Sequence, residues 1–530
     1  MPSILLALSM AYIGILGIIS TDCGVHWDEQ KLVSSVQNSV NSGFLLPRWY
    51  KYPSVSYDIS LLTATPQLVR QAVRSRGADQ ALKPEDVVRY LGEPAFHLQL
   101  RSIFFLLSIF SGWPIYILVR RLSGNPWIAL FAGLASISTW EFVYHARWIA
   151  PDCILALFIA WSLLGQFQIL NCERPSRRMV WVVISAIFAG LCIGTKYPGG
   201  IVLLPLLLAI AISHRRTEST PSLMLIAATG LLVAAAVFVL TTPGCLMEPL
   251  SFLRDVRYEI AHYSRGHRGY TVAPGWDHFS KLFVYLGSVF LSKNTVFAVM
   301  ASALAVVGAA YLVKTQGKIS IWFLSLPVLY VLYMSGQRVM IVRNYLLLMP
   351  FLAVLMGLGL FAVTLATESR RRLRFLLCTA AVCFIVYNMC VATKSSLGIY
   401  GTHTTSARST IANRVISSPE TRFFLSPASL DLLGADTASQ QTNIVETIDL
   451  AEKLIFLSNE VKNRGLFIAN VPGRYRTVWS GVDEVNWDFY PSWAGKHRVL
   501  EVSAKELRLQ PLISAIIHTR PMHGAAYRRP

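Results

Sequence analysis

The stretch PSILLALSMAYIGILGIISTDCGVHWDEQ, residues 2–30, decides how the rest of the chain is read. Residues 2–21 carry no charge, and about 20 apolar residues are what an α-helix needs to cross the hydrocarbon layer of a bilayer. Two neighbouring acids, Asp28 and Glu29, follow just past that run. A cleaved signal peptide is the other reading of the first segment. No Lys or Arg precedes it, however, and the residues before Asp22 make a poor cleavage site, so a retained helix is expected.

Composition generalises the first segment to the whole chain. Of 530 residues, 54% are hydrophobic and only 15% charged, with a mean hydropathy of +0.48 and a net charge of +19. A soluble chain of this length needs more charge to cover its surface, which excludes an ordinary globular enzyme and implies a polytopic membrane protein. Apolar segments long enough to span recur near residues 3–21, 99–119, 126–143, 149–170, 179–194, 199–213, 222–242, 294–313, 319–335, 344–366 and 373–392. That gives about eleven transmembrane helices.

The connections assign the sides. Alternate loops read RRLSGNP, NCERPSRR, SHRRTEST, KTQGK and ESRRRLR, short and mostly rich in Lys or Arg, the mark of the cytoplasmic face. The other face receives the long loops 22–98 and 243–293, the short links around Arg147, Lys196 and Arg338, and everything after about residue 394. The amino terminus is therefore expected inside and the tail outside. Of the eight cysteines only Cys23 and Cys245 fall on the outer side, where a bridge is possible but weakly supported.

After residue 393 the composition becomes that of a water-soluble unit. Short apolar runs (RFFLS, KLIFLS, GLFIANV, HRVLEV) alternate with polar helical stretches such as NIVETIDLAEKL, which predicts a small α/β domain over 394–530 behind a membrane domain over 1–393.

Polar residues that interrupt the apolar pattern gather on the outer face. Asp28 and Glu29 follow the first span, and Glu141, His145, Arg147 and Asp152 bracket one outer turn. Lys196 stands in GTKYPGG, His262 and His267 in loop 243–293, and Arg338 and Arg343 flank VMIV. Taken singly, such residues more often snorkel to headgroups or cap helices. Convergence from several loops on one face favours a site. Lys196 is the clearest case, because a cation between apolar runs on a cation-poor leaflet costs free energy unless it meets an anion such as a lipid phosphate. In loop 22–98, Val33, Val36, Val40 and Phe44 have helix-like spacing, which predicts an interfacial amphipathic helix before a tyrosine-rich turn containing Tyr52 and Tyr57.

The acidic pair after the first span, the segment GFLLPRWYKYPSVSYD, the element ARWIAPDCIL, the turn GTKYPG and the late span RNYLLLMPFLA resemble the polyprenyl-phosphate-sugar-dependent glycosyltransferases of the GT-C superfamily. The likeness is to bacterial relatives of dolichyl-phosphate-mannose protein mannosyltransferases (glycosyltransferase family 39) and of lipid A aminoarabinose transferases, over roughly residues 1–390. It implies a GT-C-like fold with extracytoplasmic loop helices, a site on the extracytoplasmic face of what would be a bacterial plasma membrane, and a catalytic acid that maps onto Asp28. It also implies basic residues on the lipid phosphate, for which Lys196, Arg147 and Arg343 match, with Arg338 close by. The absence of a repeated carbohydrate-recognition domain between late spans departs from the mannosyltransferases and counts against a protein among the possible acceptors, a lipid, a glycan or a protein.

The chemistry points the same way. A sugar on a lipid phosphate already has a good leaving group, so one carboxylate base and a few fixed cations suffice. Asp28 is the expected base of an inverting transfer, Glu29 is expected to position the acceptor or orient a partner cation, and Tyr52, Tyr57, Asp152, His262 and His267 are the candidates for sugar or acceptor. No cofactor is required. His26, Glu29, His262 and His267 include metal-ligand types, but nothing in their spacing fixes a site. Partners are the polyprenyl-phosphate sugar, membrane lipid and the acceptor; no nucleic acid is expected. Two other classes compete. A lipid or solute transporter should place its charges near the bilayer midplane and show related halves. An assembly protein would work through its terminal domain and leave the Asp28 region dispensable.

Overall fold

The structure, a computed structural model, describes residues 1–21, 27–77, 84–214, 220–266 and 270–400, together with six short strands between 422 and 503. The protein is an integral multi-pass membrane protein whose regular structure among the described residues up to 400 is helical apart from one isolated backbone bridge. Among the described residues eight helices are long and apolar enough to cross a membrane: Pro2–Ile19, Ala95–Ser123, Pro151–Asn171, Pro175–Thr195, Pro221–Thr241, Thr295–Ser335, Val342–Ala366 and Arg371–Leu397. Pro126–Ser138 and Trp140–Ala146, bent by 53°, make a ninth if taken as one span. The eleven expected segments all fall on helix. Two of them share Thr295–Ser335, which breaks at Gln316 and Gly317, and another is the shorter apolar stretch Tyr197–Ser213.

Backbone chemistry explains why these segments are helices. In hydrocarbon every N–H and C=O must be satisfied within the protein, and a helix does so locally. The ends carry recognisable signals. Proline occupies the first turn at Pro2, Pro94, Pro126, Pro151, Pro175 and Pro249, where its missing N–H is not needed. Asn125 caps its helix by accepting from the N–H groups of Trp127 at 2.9 Å and Ile128 at 3.3 Å, and Asn294 does the same for Val296 and Phe297.

Burial ranks the spans. The apolar window of Pro151–Asn171 is 83% buried and that of Pro221–Thr241 only 11%, so the former is the bundle's central helix and the latter faces lipid. Helices Thr295–Ser335 and Met349–Ala366 cross closely because Gly308 and Gly359 face each other's backbone. A Cβ on Gly308 would be driven into the carbonyl oxygen of Leu355, and one on Gly359 into that of Leu304.

The first outer loop forms helices Trp27–Ser42, Val55–Gly77 and Pro84–Gly92. They share an apolar cluster with Pro94–Ile109 that includes Leu32, Val33, Val36, Leu91 and Phe96. The expected amphipathic helix is present, but its apolar face packs on these neighbours. Phe44 lies beyond it, after Gly43 reverses the chain at φ +64°. In the second loop, helices Pro249–Arg265 and Trp276–Tyr285 flank a short backbone pairing. The N–H of Val272 donates to Arg338 O and that of Met340 to Tyr270 O, each at 2.8 Å.

In the tail, strands Ile444–Thr447, Arg422–Leu425, Gly465–Pro472 and His497–Ser503 form one sheet in that order. The first three are parallel and the last antiparallel. Three of the four expected apolar runs are strands; KLIFLS lies outside the described residues. NIVETIDLAEKL departs from the helical expectation at its start, where Ile444–Thr447 pairs alongside Phe423–Leu425. β-branched Ile, Val and Thr suit that pairing.

Candidate active site

Four helix ends bring charged side chains together at the end of the bundle opposite the Lys/Arg-rich loops. Asp28 comes from the first turn of Trp27–Ser42, Asp152 from the first turn of Pro151–Asn171, Lys196 from the residue after Pro175–Thr195, and Arg343 and Asn344 from the 3-10 turn that opens Val342–Ala366. Arg343 Nη1 lies 2.6 Å from Asp28 Oδ2, and its Nε is 4.0 Å from Asp152 Oδ2. Lys196 Nζ donates to Asp152 Oδ1 at 2.6 Å and to Asn344 Oδ1 at 2.7 Å. The Tyr52 hydroxyl donates to Asp28 Oδ2 at 3.2 Å. Asp152, Lys196, Arg343 and Asn344 are buried, and Asp28 is the more open member. Unpaired, such charges would be very costly in so apolar a setting; alternated as two acids and two bases they offset one another.

A cavity of about 560 Å³ adjoins the cluster. Lys51, Lys196 and Glu259 are its charged residues and Tyr52, Tyr197, Tyr263, Tyr330 and Tyr333 its aromatic polar ones; Val256, Ile260, Ile201 and Leu329 make the apolar wall. Asp28 stands one hydrogen bond behind the lining, through Tyr52. Lys51 Nζ rests 3.5 Å from the centroid of the Tyr258 ring. Burial pushes the Tyr52 hydroxyl well up, reinforced by the Asp28 charge, so it stays a proton donor. Burial also raises the Glu259 carboxyl to about 7, opposed by Lys51 and Lys196.

Glu29, next to Asp28, faces the other way. Its carboxylate pairs with both Arg101 Nε, at 2.9 Å, and Arg101 Nη2, and accepts from the Ile149 N–H at 2.8 Å. Arg101 also donates to Thr21 O at 2.7 Å and lies against the Trp148 ring. The pair ties the start of helix Trp27–Ser42 to three other segments.

The remaining expected residues separate. Arg147 donates to the hydroxyls of Ser20 at 2.9 Å and Ser396 at 2.7 Å, bridging the first and last spans. Arg338 projects an exposed side chain while its backbone holds the pairing of the second loop. Tyr57 is buried in the apolar cluster of the first-loop helices and is not among the residues that line the cavity. His262 stacks on Tyr258, beside the cavity. His26 and His267 lie outside the described residues. Among the described residues no set of three His, Cys, Asp or Glu side chains is placed to hold a metal. Cys245 is a free thiol, and Cys23, its possible partner, lies outside the described residues.

Lys51, Arg101, Glu259, Tyr263 and Asn344 were not anticipated. Arg101 carries a signal, a lone cation within FHLQLRSIFF, and Asn344 directly follows Arg343 in an apolar run. Lys51 and Glu259 sit in polar loop sequence and look like solvated charges.

This is the fold of the GT-C membrane glycosyltransferases. Residues 95–240 match the family model of dolichyl-phosphate-mannose-protein mannosyltransferase. Across 88% of the chain the structure is similar to the crystal structure of ArnT from Cupriavidus metallidurans bound to undecaprenyl phosphate, covering 93% of that chain at 14% identity with a TM-score of 0.53. The apo state of the same protein matches with a TM-score of 0.54, again at 14% identity, over 88% of this chain and 92% of that one. An uncharacterised protein of Aquifex aeolicus (strain VF5) is 31% identical over 106 residues, so the chain spans about a fifth of the length of that relative, and 20% of this chain is matched. The resemblance read from the sequence therefore holds at the level of family likeness and fold.

Proposed function

We propose that the protein is an inverting glycosyltransferase that moves a sugar from a polyprenyl-phosphate donor to a hydroxyl of a lipid, glycan or protein acceptor, with Asp28 as general base. The observation that carries this reading is the placement of Asp28 beside Arg343 and Tyr52 at the edge of a cavity lined by Lys51 and Lys196. The acceptor oxygen attacks the anomeric carbon from the face opposite the phosphate and its proton passes to the Asp28 carboxylate. The carbon–oxygen bond to the phosphate breaks, and the bonding pair leaves with the lipid phosphate. Lys51 and Lys196 stabilise the second charge that develops on that phosphate. Asp152 and Asn344 fix the Lys196 ammonium; Arg343 fixes Asp28.

The apolar cavity wall suits a prenyl chain, and the likeness to a protein crystallised with undecaprenyl phosphate supports a polyprenyl phosphate as the lipid. The Lys/Arg-rich loops support a cytoplasmic location for the opposite end of the bundle, and with it a site that opens on the extracytoplasmic face beside residues 394–530 as a separate domain. A bacterial plasma membrane fits this arrangement. Clustering of the charges at one end of the spans favours transfer over transport, for which a midplane site is expected.

Incubating the purified protein with a panel of polyprenyl-phosphate sugars tests the reading. Release of polyprenyl phosphate from at least one of them, with inversion at the anomeric carbon of the transferred sugar, is the expected result. Retained configuration, or movement of lipid across a bilayer without hydrolysis or transfer, contradicts it.

A further inference from the structure

Every cation around the cavity has a described partner: Lys196 has Asp152 and Asn344, Arg343 has Asp28, and Lys51 has the face of Tyr258. Glu259 differs. It lines the cavity from helix Pro249–Arg265, and among the described residues its carboxyl has neither an ion pair nor a hydrogen bond. The groups that face it are Lys51 and Tyr52 from the first loop, Lys196 and Tyr197 from the turn after Pro175–Thr195, and Tyr330 and Tyr333 from Thr295–Ser335. Tyr263 is one turn along its own helix, and Asp28 and Arg343 act on it from behind the lining.

We propose that Glu259 is a contact to the donor's phosphate that binds it in the protonated form, as a hydrogen-bond donor, so that donor binding brings one proton into the cavity. The inference rests on the glycosyl-transfer reading above and extends it. Charge bookkeeping carries it: Asp28, Asp152, Arg343 and Lys196 cancel, leaving Lys51 as the surplus charge that an anion can answer. An ionised Glu259 cancels that surplus and repels the phosphate. A protonated one adds an O–H···O⁻ bond of the charge-assisted kind. Burial already raises this carboxyl to about 7, and an incoming anion raises it further, so the proton is available near neutral pH.

The test is calorimetric titration of the full-length protein in detergent with farnesyl methyl phosphate, a prenyl phosphodiester whose single charge does not change between pH 5.5 and 8.5. The expected association constant is level at the acid end and falls toward about tenfold per pH unit above pH 7, the slope of a single proton. The dependence of the heat on buffer ionisation should show about one proton taken up at pH 8 and close to none at pH 5.5. Glu259→Gln should abolish both the slope and the uptake, and Glu259→Asp should keep them. A wild-type slope of zero, or no proton uptake at pH 8, overturns the proposal without recourse to any variant, as does an undiminished slope in Glu259→Gln. Failure of the wild-type protein to bind the probe at any pH overturns the glycosyl-transfer reading itself and this inference with it.

Discussion

Arg343 Nη1 stands 2.6 Å from Asp28 Oδ2, joining the first turn of the first-loop helix to the start of a span more than three hundred residues later. The guanidinium holds the Asp28 carboxylate from one side, and its Nε, 4.0 Å from Asp152, places that arginine between the two carboxylates. Arg343→Lys keeps the charge but loses the planar fork. Transfer by that variant should fall at least tenfold with a smaller change in donor affinity. Unchanged turnover would remove Arg343 from the positioning of Asp28.

The Lys196–Asp152 pair is buried on both sides, so breaking it leaves an uncompensated charge. Lys196→Met should cost about 3–5 kcal/mol and lower the melting temperature markedly, whereas Lys196→Met combined with Asp152→Leu should recover much of the loss. Because Lys196 also lines the cavity, neither variant should regain donor affinity. Full binding by the repaired double variant would reduce the lysine to a structural role.

Glu29 is consumed by Arg101 and the Ile149 N–H, which makes it a strut rather than an acceptor contact. Arg101→Met should lower thermal stability and turnover together while leaving the Michaelis constant for the acceptor within about twofold. An effect confined to that constant would instead put Glu29 against the acceptor.

Asp58, near the start of the helix Val55–Gly77, is raised by burial from 3.8 to about 7. The folded protein thus holds this proton more tightly than the unfolded chain. The stabilisation is complete below about pH 4 and is lost as pH rises through 7. Thermal stability should therefore decline between about pH 4 and 7 and level off above that, and Asp58→Asn should flatten part of that decline. A variant with the wild-type profile would show that Asp58 contributes nothing to it.

The close crossing at Gly308 and Gly359 leaves no room for a side chain. Gly308→Ala should destabilise the protein by about 1–3 kcal/mol, the range for overpacking, read as a lower melting temperature in detergent. A neutral effect would mean that the two helices separate at little cost.

How much of this was legible in the sequence follows from local contrast. Asp152, Lys196 and Arg343 each interrupt an apolar run and Asp28 follows just past one, all at the same end of the bundle, so topology alone gathers them on one face. Arg147 shows the same contrast, but its described partners are the hydroxyls of Ser20 and Ser396; sidedness says which residues share a face and not which neighbours meet. Tyr57 lies in a tyrosine-rich turn and yet packs inward, because three loop helices form a core of their own that interfacial patterning does not foresee. Lys51 and Glu259 have no contrast with their surroundings, and they reach the cavity from two separate loops, Lys51 from the first and Glu259 from helix Pro249–Arg265. The kink at Gln316 and Gly317 was legible as a loop because Gly and flanking lysines break the apolar period.

The most direct measurement is the single-turnover rate of sugar transfer from a polyprenyl-phosphate donor by Asp28→Asn, compared with wild type at equal donor occupancy. The variant keeps the shape and the Tyr52 hydrogen bond but cannot take a proton, and the predicted result is a rate reduced at least a hundredfold, within the range for loss of a general base, with donor binding intact. A rate within a few-fold of wild type would contradict the assignment of Asp28 and with it the account of the site.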